Sequence, residues 1–383
     1  MGLRLYVISL KMMKHTVLVV LVAIVGCTKK PDKRMEFKAL IDSAMVKMVN
    51  KPLINSGSIA IYHKGKAYIG HYGELEKGKL KPPSDETIYE IGSLSKVLTG
   101  TLIANAVLEN KLSIEDEVVT YLDKEYPKLV EQTPPIKLKH LLTHSSGLPN
   151  MLPLELNPVL EDFLNHETPL RINKILSNYN KTHFLEDLYL IKTDINPGLQ
   201  YSYSSMGTEL TAHILEKEYQ TTYEDLLVTF LTDEIGMNST KISLKKDELR
   251  HLAVGYHTDN RNIAPVMPRL PWGASGNVKS TVVDMMKFIK FQLKNNSVVK
   301  ESHKSLVQFD NEFGLSYFWN INSSDKKLGT YYFHHGGVPR SQCYIYVIPK
   351  HDLAAFIITN QSGKDTSGKM EEALKEIFDG LIN

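Results

Sequence analysis

The sequence predicts an α+β fold in which the two ends of the chain build one antiparallel sheet and a mostly helical region is inserted between them. Two observations carry this. The stretch "GSIAIYHKGKAYIGHYG" (residues 57–73) alternates apolar and polar residues on either side of Lys64-Gly65, the pattern of a β-hairpin. Near the other end, "GTYYFHH", "SQCYIYVI" and "DLAAFIIT" are three strand-like runs separated by Gly, Pro and charged turns. From about Glu86 to Lys294 the apolar spacing is helical instead, as in Leu94, Val97, Leu98, Leu102 and Val107. Helices over "KRMEFKALIDSAMVKMVN" and "KMEEALKEIFDGLIN" flank the strands. A site in such a fold belongs between the sheet edge and the inserted helices.

Composition supports a large core and narrows the partners. Of 383 residues, 42% are hydrophobic and 23% charged, and 45 basic residues against 43 acidic ones leave a formal charge of +2. No basic stripe interleaved with aromatics runs along the chain, so nucleic acid is not an expected partner.

The N-terminus reads as an export signal. Lys11 and Lys14 precede nine apolar residues, "VLVVLVAIV", then Gly26 and Cys27. That run is short for a bilayer span and has the length of a signal-peptide core. A small residue followed by cysteine resembles a bacterial lipobox, which makes Cys27 the lipidated residue and the membrane a partner through that anchor. The expected layout is a lipoprotein signal peptide over 1–27, a polar tether over 28–36 and one folded domain over 37–383. The expected location is extracytoplasmic and periplasmic, with Thr28 after the cysteine resembling the pattern of outer-membrane lipoproteins. With Cys27 lipidated, Cys343 has no partner for a disulfide, and its setting in "QCYIYVI" fits a small buried hydrophobe.

Three stretches carry candidate chemistry. Ser-x-x-Lys occurs five times, at Ser93, Ser243, Ser297, Ser323 and Ser324. Only Ser93 follows a short β-like run with glycine and precedes a long apolar-periodic helix. There the helix N-terminus favours negative charge on the serine oxygen, and Lys96, one turn on, is placed to take its proton. The same pattern also fits a helix N-cap with a surface lysine. The second stretch, "PGLQYSYSSMGTELTAHIL", offers Tyr203 and Ser205; a tyrosine serves as base or acid when a nearby ammonium such as Lys96 lowers its pKa. The third, "YYFHHGGVPRSQ", carries His334 and His335 into Gly336 and Gly337, which would let a substrate backbone lie close to the strand. Adjacent histidines, and the pair His140 and His144, invite a metal-hydrolase reading. No His-Glu-x-x-His arrangement accompanies them.

In this order the stretches resemble the penicillin-recognising serine hydrolases, the family of class C β-lactamases, D-alanyl-D-alanine carboxypeptidases and related esterases. The resemblance runs from about Phe37 onward and includes "KLSIEDEVVTYL", "IKLKHLLTHSSGLP" and "GASGNVKSTVVDMMKFIK" beside the three stretches. It implies a β-lactamase/transpeptidase-like fold, Ser93 as the acylated nucleophile, Lys96 as its partner, Tyr203 as general base and acid, and His334 as the first residue of the strand motif. His335, Gly336 and Gly337 follow as substrate-binding positions, and a frame shifted by one histidine stays open. The oxyanion hole would combine the N–H of Ser93 with one near Arg340 to Gln342.

Two departures shape the expected activity. Ser205 stands where the family has asparagine, and Arg340 where a glycine usually follows the strand motif, either binding an anionic substrate group or facing solvent. Histidine in place of the strand-motif lysine argues for a peptidase or esterase over an efficient β-lactamase. The expectation is a serine hydrolase acting on a small peptide, ester or β-lactam, most specifically a D-amino-peptide peptidase or esterase, with no metal or organic cofactor. The alternative is a protein of the same fold that binds penicillin or peptide with little turnover.

Overall fold

The computed structural model describes residues 33–131, 134–193, 195–258 and 262–382. The apolar N-terminal run and Cys27 lie outside the described residues. The first helix, Lys33–Val49, begins within the span 28–36 expected to be a tether.

The two ends of the chain meet in one eight-stranded sheet. Its spatial order is Lys66–Gly73, Ser56–His63, Leu353–Thr359, Ser341–Ile348, Tyr331–Val338, Asn320–Asn322, Phe313–Leu315 and Val307–Gln308. Neighbours are antiparallel throughout. The hairpin turns as expected at Lys64 (φ 47°) and Gly65 (φ 80°); two left-handed residues in a two-residue turn match the twist of the strands they join. The last three strands, two or three residues each, are too short to leave an alternating pattern in the sequence.

Both faces of the sheet are covered, and side chains alternate between them. Ile59, Ile61, Ala355 and Ile357 pack with Phe37, Ile41, Met45 and Ile377 from the terminal helices Lys33–Val49 and Thr366–Ile382. Ala60, Ile345, Val347, Phe356 and Ile358 face the inserted region. A strand covered on both sides has no polar face, which is why "LAAFIIT" is buried along its whole length.

The inserted region is centred on the helix Ser95–Leu108, of whose 14 residues 11 are buried. Such a helix needs apolar residues around its whole circumference, and its threonines bond inward, Thr99 and Thr101 donating to the carbonyls of Ser95 and Val97. The region is less helical than its apolar spacing suggests. Among the described residues between Gly236 and Thr281 there is one short 3-10 turn, Leu249–His251, with loops and brief strands. Pro265, Pro268 and Pro271, followed by Gly273 and Gly276, remove the backbone donors and the stiffness a helix would require.

Candidate active site

Ser93 sits in a one-turn 3-10 helix, Gly92–Leu94, between the short strand Ile88–Glu90 and the buried helix. The turn is tied down on three sides. Ile91 donates to the carbonyl of Val278 (3.1 Å), Ser95 Oγ donates to the carbonyl of Gly92 (2.7 Å), and Val278 N–H donates to Ser95 Oγ (3.1 Å). Gly92 takes φ +53°, and a Cβ there would lie 2.8 Å from the backbone nitrogen and oxygen of Gly337. Only glycine lets the turn press against the strand in this way.

Two polar groups converge on the serine. Tyr203 Oη donates to Ser93 Oγ at 2.8 Å, and Lys96 Nζ reaches the same oxygen at 3.3 Å while donating to the carbonyl of Ser275 at 2.7 Å. Lys96 has no exposure to solvent, and its Nζ stands 4.9 Å from the centre of the Tyr203 ring. Negative charge developing on either oxygen therefore meets a cation inside a poorly solvated site. Of the two sequence readings of Ser93 and Lys96, a helix cap with a surface lysine does not describe this arrangement.

Each partner has its own support. Tyr203 lies on a loop bonded to the segment 144–150: Ser202 N–H donates to the carbonyl of His144 (2.7 Å), and Ser204 N–H to His144 Nδ1 (3.2 Å). The His144 ring packs 4.4 Å from that of Tyr203 and is held neutral, well below the ordinary imidazole range, by burial and then by the charge of Lys96. Lys96 depends on the segment 272–275, whose N–H groups point at a buried carboxylate. Glu209 accepts from the backbones of Trp272, Gly273 and Ser275 and from Ser275 Oγ, at 2.8, 3.0, 2.8 and 2.6 Å. That turns the Ser275 carbonyl towards Lys96. Sequence reasoning missed Glu209; its one visible signal is a carboxylate inside the apolar-periodic "TELTAHIL".

Ser205 lines the cavity above Ser93, and beside it stands another residue that sequence reasoning missed. Asn150 Oδ1 accepts from Ser205 N–H at 3.4 Å and its side chain also lines the cavity, so an amide is present where position 205 lacks one. Nothing in the local sequence marks Asn150, since loop asparagines are common.

On the strand Tyr331–Val338 the register separates the two histidines. His334 pairs with Ile345, whose side chain faces the inserted region, and His335 with Tyr344, on the face of the terminal helices. His334 is the one beside Ser93 and Lys96. Burial, then the charge of Lys96, lowers its pKa to about 3 against a pull from the Ser93 backbone. The ring is thus neutral, with Nδ1 accepting from Asn320 Nδ2 at 3.2 Å and the buried Nε2 without a partner. His335 borders the cavity, but its ring packs 4.6 Å from that of Tyr344. Asn320–Asn322 pairs only as far as Phe333, so from His334 to Val338 that strand edge has no strand partner among the described residues.

Two expectations change here. The backbone against the Ser93 turn belongs to Gly336 and Gly337, not to Arg340–Gln342: a Cβ on Gly336 would come within 2.3 Å of the Ile91 carbonyl. Arg340 neither lines the cavity nor faces solvent. It is buried with Nη1 3.5 Å from Glu90 Oε2 and Nη2 donating to the carbonyl of Ala253. Ser341 Oγ and Cys343 Sγ donate to the carbonyls of Glu90 and Ile91, so this hairpin braces the approach to Ser93. His140 accepts at Nδ1 from Lys137 N–H (3.1 Å), and no three His, Cys, Asp or Glu side chains among the described residues converge as metal ligands do. Burial pushes the Cys343 thiol up, as for a structural cysteine.

The cavity over Ser93 holds about 480 Å³. An eight-stranded antiparallel sheet between helical layers, with a serine, lysine and tyrosine meeting where the strand edge opens, defines a β-lactamase-type serine hydrolase fold. The Beta-lactamase family model matches residues 41–377, and the chain belongs to that family. It is 24% identical over 330 residues to Protein flp of Staphylococcus aureus strain MRSA252, covering 84% of this chain and 62% of that protein. To a beta-lactamase of Providencia stuartii it is 25% identical over 260 residues, 68% of this chain and 61% of the relative. The match thus spans about three fifths of each relative. Among solved structures, a class C beta-lactamase superposes with a TM-score of 0.76 at 19% identity, over 91% of this chain and 97% of the other. A beta-lactamase/D-alanine carboxypeptidase from Yersinia pestis, complexed with citrate, gives 0.75 at 18% identity over 92% and 100%.

Proposed function

We propose that this chain is a serine hydrolase that cleaves an amide or ester carbonyl through an acyl-enzyme on Ser93, in the manner of a peptidase or esterase. The observation that carries the reading is the convergence of Tyr203 Oη and Lys96 Nζ on Ser93 Oγ at the floor of an open cavity. Ser93 Oγ attacks the carbonyl carbon as its proton passes to the Tyr203–Lys96 pair. The oxyanion is held by the backbone N–H groups of Ser93 and Gly337, whose backbones Gly92 allows to approach. The proton goes on to the leaving group, and water then cleaves the acyl–Oγ bond. Asn150 supplies the amide that Ser205 cannot, and the neutral His334 stands beside Ser93 on the strand. The beta-lactamase and D-alanine carboxypeptidase named among similar structures support carbonyl substrates of this class. As part of the same proposal, Cys27 anchors the protein to a membrane outside the cytoplasm, supported by the apolar run before it.

Intact mass after incubation with a small fluorophosphonate tests the reading. The full chain should gain one adduct and Ser93→Ala none, with unchanged thermal unfolding in the variant. Folded wild-type protein that stays unlabelled would overturn the hydrolase and leave a binding protein on the same fold.

A further inference from the structure

One wall of the cavity is out of proportion to anything the chemistry at Ser93 requires. Met151, Leu156, Leu160, Phe163, Met267 and Leu270 line it. Three of them, Met151, Leu156 and Leu270, belong to a small core of their own with Val159, Ile172 and Leu176, separate from the two cores that flank the sheet. The wall is therefore a built and backed surface. Next to wall residues in the chain, Leu164 after Phe163 and Val266 before Met267 remain 52% and 42% exposed. Apolar side chains grouped along one wall of a cavity mark a surface that receives an apolar ligand.

Charge is missing from the same space. No lysine or arginine is among the described residues lining the cavity. Lys96 is committed to Ser93 and the Ser275 carbonyl, and Arg340 to Glu90 and the Ala253 carbonyl. At the strand position nearest the nucleophile stands His334, buried and uncharged, bonded at Nδ1 to Asn320 and with Nε2 buried. A substrate carboxylate seated along this wall would meet no lysine or arginine among the described lining residues, the ammonium of Lys96 lying behind Ser93. A neutral carbonyl or ether oxygen would find the uncharged amides of Asn150 and Gln342 along the lining.

We infer that the substrate of this site is an uncharged ester with an apolar acyl chain, seated against the wall formed by Met151, Leu156, Leu160, Phe163, Met267 and Leu270. The inference rests on the hydrolase reading above and selects, within it, acyl esters over carboxylate-bearing peptides and β-lactams. The reaction is a hydrolysis. Ser93 Oγ forms a bond to the acyl carbon, the alcohol departs with its oxygen and the proton relayed from Ser93, and water releases the fatty acid.

The test is a series of p-nitrophenyl esters with the full chain: acetate, butanoate, hexanoate and octanoate, together with the hemisuccinate, which carries a carboxylate on a short chain. Each buried methylene should raise kcat/KM about threefold, or about a hundredfold from acetate to hexanoate. The hemisuccinate should be at least about a hundredfold slower than butanoate. Leu160→Asn and Phe163→Ser, both at half-buried positions, should lower the hexanoate-to-acetate ratio by about tenfold. Circular dichroism and thermal unfolding report whether either variant is folded, and two positions keep the test open if one is not. A Ser93-dependent rate that is flat across chain length, or a hemisuccinate as fast as butanoate, would overturn the inference while leaving the hydrolase intact. So would fluorophosphonate labelling of Ser93 with no ester turned over. Absence of both labelling and turnover is the distinct result that removes the hydrolase reading itself.

Discussion

Lys96 is a charged side chain with no solvent contact, and its ammonium is steadied by a serine hydroxyl and one main-chain carbonyl. That carbonyl is aimed by a residue that never touches the cavity chemistry. In Glu209→Gln, one oxygen that accepts two hydrogen bonds becomes an amide facing N–H donors, and the segment 272–275 loses its anchor. The expected cost is about 2–3 kcal/mol of stability, read by urea unfolding. Turnover should drop further than that loss explains, with kcat falling more than KM rises, because Lys96 loses its alignment. Arg340 calls for a different experiment. Arg340→Ala leaves Glu90 buried without its nearest cation, so about 3 kcal/mol of stability should be lost. KM for a carboxylate-bearing substrate should be unchanged, and a rise in it at unchanged stability would contradict the placement of this residue. At this scale Ser93, Lys96 and Tyr203 were legible because a motif of fixed spacing sits at a visible strand-to-helix change. Glu209, Asn150 and Asn320 were not, since each acts through a partner between about 14 and 66 positions away.

The elements that matter most are a one-turn helix and the strand it presses on. Their contact is backbone to backbone, Gly92 against Gly337 and Ile91 against Gly336, and so leaves no side-chain pattern to read. Gly92→Ala tests it. The new Cβ would require both a left-handed alanine and a shift of the strand away from Ser93. A loss of about 10²-fold in kcat is expected, the size associated with removing one oxyanion donor, with a modest fall in melting temperature. Full activity in this variant would mean that the strand backbone does not serve the reaction. The choice between the histidines was settled by an element as well. Strand register, not the order of the motif, sends His334 inward and His335 towards the terminal helices.

Across the whole molecule, burial holds several histidines neutral. His140, His303, His334 and His335 have pKa values lowered to about 4, 3, 3 and 4, each chiefly by burial, from an ordinary 6.5. Their folded values lie below the unfolded one, so from pH 6.5 down to about 4 the unfolded chain binds protons that the folded protein refuses. Stability should fall across that window. Glu90, raised by burial, acts in the opposite sense but is a single group. Melting temperatures between pH 7.5 and 4.5 should decline steadily below pH 6.5, and a flat profile down to pH 5 would contradict this account.

By itself the sequence determined the fold class, the joining of both chain ends in one sheet, the flanking helices and the serine, lysine and tyrosine of the site. These are written in short-range patterns: alternation, helical spacing, glycine turns and motifs within a few residues. Only the tertiary structure decided which histidine faces Ser93, that Arg340 is a buried brace, that Glu209 orients the loop holding Lys96, and that one cavity wall is apolar and uncharged. Those depend on register and on contacts between residues far apart in the chain, where a one-residue slip reverses the face a side chain meets.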